Sequence, residues 1–145
     1  MTTLRPTHKA IRAYYDQRDQ ATAFAINNEQ GTREAFKHLL HSLAPTFNWR
    51  FFAEQPVKLP AGIVRPDGVL REEGYLLDRG HWEAKDTADN LDAEIDKKIA
   101  RGYPLDNIIF EDTRRAVLYQ GGKRAGEFDL TQPADLADLL TRFFT

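Results

Sequence analysis

The sequence predicts an α/β (α+β) domain, with a mixed central β-sheet flanked by helices. Three observations carry that reading. Amphipathic helical stripes lie near both ends of the chain. Short apolar runs rich in β-branched and aromatic residues fill the stretch between them. A charged helical segment interrupts those runs once, giving the order helix, helix, strands, helix, strands, helix.

The first helix is expected from Lys9 to about Ala25, anchored by Ile11, Tyr14, Tyr15 and Phe24. Asn27 or Asn28 then caps a second helix by accepting N–H bonds that would otherwise be orphaned at its start. That helix carries Phe36, Leu39, Leu40 and Leu43 at spacings of three and four and stops before Pro45. Trp49-Arg50-Phe51-Phe52 and Val57-Lys58-Leu59 read as short strands, and Pro56 between them makes this part edge-like or bent. Ile63 to Arg71 reads as another strand, interrupted at Pro66-Asp67-Gly68. Glu72-Glu73-Gly74 turns the chain into Tyr75-Leu76-Leu77, and a strand around Trp82 to Lys85 comes next. A charged helix follows, from about Asn90 to Arg101, with Leu91, Ile95 and Ile99 on one face and Gly102 as its C-terminal cap. Asn107 to Glu111 reads as a buried strand. Arg115 to Tyr119 and Arg124 to Leu130 flank Gly121-Gly122, a hairpin signature. Pro133 to Phe144 closes the chain as a helix, with Leu136, Leu139, Leu140 and Phe143 facing inward.

A chain of 145 residues suits one domain whose core is large enough to fold without staples. It has no cysteine, which excludes disulfides and thiolate metal sites. The histidines are His8, His38, His41 and His81; only His38 and His41 share a helical face, too few for a zinc centre. A net charge of −2 and a pI near 6.1 argue against a domain that grips DNA by bulk electrostatics. Residues 61–100 hold 6 basic and 10 acidic residues, which suits a cation site and equally suits a solvated helix face. No apolar run approaches the roughly 20 residues of a membrane span. The N-terminal stretch lacks the apolar core of a signal peptide. A soluble cytoplasmic domain with no membrane partner is expected.

The chemistry concentrates at Asp67 and at Glu83-Ala84-Lys85. Glu83 and Lys85 lie two apart on a strand, so they leave the same face, while Trp82 and Ala84 point the other way into the core. Asp67 stands where the preceding strand bends, and pairing of the two strands places it beside Glu83. Two carboxylates held close repel each other, a cost that a divalent cation removes. Hard oxygen ligands suit Mg²⁺, and a neighbouring lysine can steer an attacking water or neutralise charge on a phosphate. Taken singly, Pro-Asp-Gly is a generic turn and Glu-x-Lys on a strand is two solvated side chains. The combination is the informative part.

Arg65-Pro66-Asp67, followed sixteen positions after the aspartate by Glu83-Ala84-Lys85, resembles the PD-(D/E)XK nucleases, the restriction-endonuclease-like superfamily. The longer stretches His81 to Thr87 and Gly102 to Asp112 resemble the N-terminal nuclease domain of single-chain Type ISP-like restriction–modification enzymes. That resemblance covers roughly residues 60–112. It implies a restriction-endonuclease-like fold in which residues 1–145 form one nuclease domain, the N-terminal part of a longer polypeptide. Asp67 and Glu83 would ligate Mg²⁺, with Mn²⁺ able to substitute, and the backbone carbonyl of Ala84 would add a ligand. Lys85 would position or activate the water that attacks phosphorus, leaving a 5′-phosphate and a 3′-hydroxyl. Double-stranded DNA would be delivered by helicase/translocase, methyltransferase and target-recognition parts of the same polypeptide, and a transient dimer would serve double-strand cleavage.

Many superfamily members complete the metal site with an acidic residue on the first core helix, and Glu29 stands at such a place. Glu29 also suits a helical pair with Arg33 near the helix start, and both readings stay open. The glutamine of the Gln-x-x-x-Lys or Gln-x-x-x-Tyr pattern found in some relatives is absent, which leaves Asp86, Asp89 and Lys97 as polar candidates. Asp86 is expected to face away from Lys85. Lys97 and Lys98 read as a solvated helix face. Arg114 and Arg115 suit a phosphate contact or a hairpin-edge charge pair. His81 shares the face of Glu83 and reads as a bystander at the rim. Two rival functions remain: a catalytically inactive nuclease-like interaction module, and a repair or RNA nuclease of the same superfamily.

Overall fold

The structure, a computed structural model, describes residues 3–23, 28–74 and 77–145, with residues 28–30 described in their backbone alone. The apolar stripes fold as α1 (Lys9–Ala23) and α2 (Asn28–Leu43), and Pro45 turns the chain through a short 3-10 segment, Ala44–Phe47. Tyr14 of α1 packs edge-on against Phe36 of α2, with centroids 5.8 Å apart. Phe24 and Asn27, expected as anchor and cap, lie outside the described residues, as do Tyr75 and Leu76.

Strands β1 (Trp49–Ala53), β2 (Val57–Leu59), β3 (Gly62–Val64), β4 (Gly68–Glu72) and β5 (Asp78–Ala84) follow. Helix α3 (Leu91–Ala100) then leads to β6 (Asn107–Glu111), β7 (Arg115–Gln120), β8 (Lys123–Asp129) and α4 (Pro133–Phe143). Six strands form one sheet in the order β1-β4-β5-β6-β7-β8. The β5–β6 pair is parallel and the others are antiparallel, so the sheet is mixed as the sequence predicts. Parallel neighbours need a crossover, and α3 supplies it. Asn90 caps α3 by accepting the Ala93 N–H at 3.1 Å, and Gly102 takes the positive φ of 85° that ends it. At Gly121-Gly122 both residues have positive φ, the geometry that a two-residue hairpin requires.

One region departs from expectation. The run from Ile63 to Arg71 is not one strand, because its two halves serve different sheets. β3 pairs only with β2 in a separate ribbon, whereas β4 pairs with β1 and β5. Pro66 causes the split: it has no N–H for a ladder and it restricts the residue before it to extended backbone. Asp67 is therefore left at the corner, immediately before β4.

The sheet buries both faces. On one, α1, α2 and α4 bring Ile11, Phe36, Leu40, Leu136, Leu140 and Phe143 against Trp82, Ile109 and Leu118. On the other, Leu91 and Ile95 of α3 meet Val69, Ile108, Phe110 and Val117, joined by Val57 and Val64 of the ribbon. Gly68 fits a narrow place between two rings on the first face. A methyl group there would run into the Phe51 ring and come within 3.0 Å of Trp82 Cε3. Its φ is not positive, so the close approach, and not turn geometry, demands glycine. Gly68→Ala is accordingly expected to destabilise the fold by about 1–3 kcal/mol, read as a lower urea midpoint at unchanged m-value.

Candidate active site

Antiparallel pairing sets Gly68 opposite Trp82, so Asp67 falls beside Glu83. Backbone hydrogen bonds clasp the two carboxylates. The Asp67 N–H donates to Glu83 Oε1 at 3.1 Å, and the Ala84 N–H donates to Asp67 Oδ2 at 2.7 Å. Each acid is thus held by the backbone beside the other. Burial, with the Glu83 charge adding to it, pushes the Asp67 carboxyl up to about 6.

Lys85 leaves the same strand face as Glu83, with Nζ 3.4 Å from Glu83 Oε2 and 4.0 Å from Glu94 Oε2 on α3. Its own backbone N–H donates to the Glu111 carbonyl of β6 at 2.8 Å, which fixes the strand end that presents it. Trp82 and Ala84 face the core as expected. Trp82 stacks on Phe36, and its Nε1–H donates to buried Glu111 Oε1 at 3.1 Å. Glu111 Oε2 takes the Thr113 N–H at 2.7 Å, and complete burial pushes the Glu111 carboxyl up to about 7.

One expectation is corrected by α3. Lys97 is solvated, with 69% of its side chain exposed, but Lys98 is not, at 12%. Lys98 Nζ lies 3.1 Å from Glu83 Oε2 and 5.0 Å from the centre of the Tyr103 ring, so it is a site residue that the sequence reading missed. A signal was present: Lys98 is three residues past Ile95 and seven past Leu91, on the apolar stripe itself. Asp86 does face away from Lys85. It pairs with Arg33 of α2 at 2.9 Å. The Glu29 side chain lies outside the described residues. His81 is buried and not at a rim, and Asp78 is its nearest charged partner at 3.5 Å. Arg115 pairs with Glu127 and Asp92.

The donor set fits a hard divalent cation. Buried Glu83 and half-buried Asp67 share one corner and repel each other, with the backbone of Ala84 in contact with Asp67. Among the described residues, no third acidic or histidine side chain joins them to form a larger ligand cluster.

No family model matches the chain, and no curated protein matches it either. It is similar to part of a chain in a cryo-EM structure of a DrdV–DNA complex, with 42% identity over 94% of this chain and a TM-score of 0.87. The match spans 14% of that longer chain. A crystal structure of a protein belonging to DUF820 from Anabaena variabilis aligns over 91% of this chain and 82% of its own. At 10% identity and a TM-score of 0.45, that likeness carries no argument. The mixed sheet, with its aspartate set against Glu-x-Lys at a strand end, makes this chain a restriction-endonuclease-like nuclease domain. Among the described residues, no helix is long and apolar enough to cross a membrane.

Two stability predictions follow from these contacts. Lys98→Met keeps the stem and removes one of two ammonium groups from buried Glu83; thermal denaturation without added metal should show a loss of about 2 kcal/mol. Glu111 has a folded-state pKa above its ordinary 4.5, so the native state binds its proton more tightly than the unfolded state does. Its contribution is complete below about 4.5 and is lost as pH rises through about 7. Denaturation midpoints across that window should fall with rising pH, and Glu111→Gln should flatten the slope.

Proposed function

We propose that this domain is a Mg²⁺-dependent endonuclease that hydrolyses DNA phosphodiester bonds, acting as the cleavage module of a restriction–modification enzyme. The observation that carries the reading is the clasp of Asp67 and Glu83 beside Lys85. Buried like charges are costly to hold together, and a fold that holds them invites a cation. The 42% identity to part of a chain solved in a complex with DNA supports DNA as the substrate.

Asp67, Glu83 and the Ala84 carbonyl would hold Mg²⁺, and Glu29 is the further ligand proposed. When bound, such an ion supplies Lewis-acid stabilisation of the phosphoryl oxygens and a more acidic water. Lys85 would orient the attacking water and offset negative charge developing at phosphorus. Lys98 and the Ala84 N–H keep the two carboxylates in place, and Trp82, stacked on Phe36, stiffens the strand end from below. With a net charge of −2 the domain would bind DNA weakly, so the partner modules in the same polypeptide would deliver the substrate.

Plasmid cleavage by the full protein, in Mg²⁺ against Ca²⁺, tests the assignment. Glu83→Gln and Lys85→Ala should each lower the rate by about a hundredfold or more. Variants that cut at the unmodified rate would sink the catalytic roles. Calorimetry should show weaker Mg²⁺ binding by Asp67→Asn.

A further inference from the structure

We infer that the polar cleft lined by Arg18, Thr22, Thr32, Thr87, Thr113 and Arg114 is a phosphate-binding subsite for the DNA backbone next to the cutting centre. The inference rests on the nuclease reading of Asp67, Glu83 and Lys85.

Position argues first. The cleft encloses about 540 Å³ and adjoins the candidate active site across one ion pair, Arg33–Asp86. Arg33 lines a smaller hollow of about 180 Å³ together with Asp67 and Lys37. Thr32, the next residue on α2, lines the larger cleft, and so does Thr87, the neighbour of Asp86. Thr87 is also only two residues beyond Lys85. A strand whose phosphate lay at Asp67 and Glu83 would reach the larger cleft by passing the Arg33–Asp86 rib.

Charge argues second. The smaller hollow mixes Arg33 and Lys37 with Glu34, Glu54 and Asp67. Among the described residues, the larger cleft is lined by two guanidinium groups, four threonines and one alanine, and the carboxylates of Glu127, Asp129 and Asp135 line a separate hollow on the other side of Arg114. Guanidinium forks and hydroxyls are the groups that hold phosphate oxygens. On a chain with more acid than base, such a segregated pocket is a local reversal of sign.

Rigidity argues third. The turn that carries Thr113 and Arg114 is tied down from three sides. Asp112 Oδ1 accepts the N–H groups of Arg114 and Arg115 at 3.0 and 2.8 Å, and Glu111 takes that of Thr113. The Thr87 hydroxyl donates to the Asp112 carbonyl at 2.9 Å and lies 3.0 Å from the Thr113 hydroxyl. Across the cleft, Arg18 is braced on the Tyr14 hydroxyl at 3.0 Å and the Leu130 carbonyl at 3.3 Å. Among the described residues Arg114 forms no ion pair, and the carboxylates of Glu127, Asp129 and Asp135 line the hollow on its other side.

The test is binding of the whole protein to two labelled DNA duplexes of unrelated sequence, in Ca²⁺, across about 20 to 200 mM salt. Arg114→Ala should make the slope of log K against log salt shallower by about 1, equally for both duplexes. Arg114→Lys should restore it. Arg124→Ala, which removes an equal charge from the far hairpin, should leave the slope unchanged. The proposal is overturned if Arg114→Ala and Arg124→Ala behave alike, or if the unmodified protein shows no salt-dependent binding. Thermal melting of Arg114→Ala checks the fold. Cleavage is read separately: a slope change with no Mg²⁺-dependent cutting keeps the subsite and removes the nuclease reading. Loss of cutting in Glu83→Gln with an unchanged Arg114→Ala slope does the reverse.

Discussion

The two carboxylates at the β4–β5 corner repel each other, and much of the nearby structure answers that repulsion. Asp67 is pinned by the Ala84 N–H, and Glu83 by the Asp67 N–H and by two lysines. Those bonds require β4 and β5 to pair in one register, since a slip of one residue would turn Glu83 into the core and Trp82 out of it. Trp82 enforces the register from the opposite face, where it stacks on Phe36 and donates to Glu111. Gly68 lets β4 approach closely enough for the corner to close. The acidic corner is thus a product of core packing as much as of its own hydrogen bonds.

Local patterns were legible in the sequence, and long-range destinations were not. Gly121-Gly122 between two apolar runs, and Leu91, Ile95 and Ile99 at steps of four, each admit one local structure. Pro66 announced a break, but nothing local says that β3 then joins a ribbon with β2 while β4 enters the main sheet. The Arg33–Asp86 pair joins residues 53 positions apart, beyond the reach of any short-range spacing rule. Lys98 was misread for a different reason. Charge suggested solvent, while position on the stripe said buried, and the buried acid Glu83 settled the contest.

Asp67 and the Glu-x-Lys strand were legible because strand periodicity fixes which residues share a face. That rule placed Glu83 with Lys85 and sent Trp82 and Ala84 to the core, as the structure has them. Nothing in it could find the contribution of α3, because a helix that crosses over a sheet meets its neighbours by fold geometry and not by sequence distance.

Net charge is a sum over the chain and carries no position. Read alone, −2 argues against a grip on nucleic acid by bulk electrostatics. In three dimensions the signs separate. Acid gathers at the Asp67–Glu83 corner, where a cation would neutralise it, and Arg18 and Arg114 face the neighbouring cleft, whose described lining holds no carboxylate. The field that a phosphate meets is set by the groups within about a Debye length, roughly 8–10 Å, and not by the sum over the chain. A domain can therefore be weak in bulk attraction and still hold a backbone firmly at one place. That combination suits a module that receives its substrate from others and must position it within a fraction of an ångström to react.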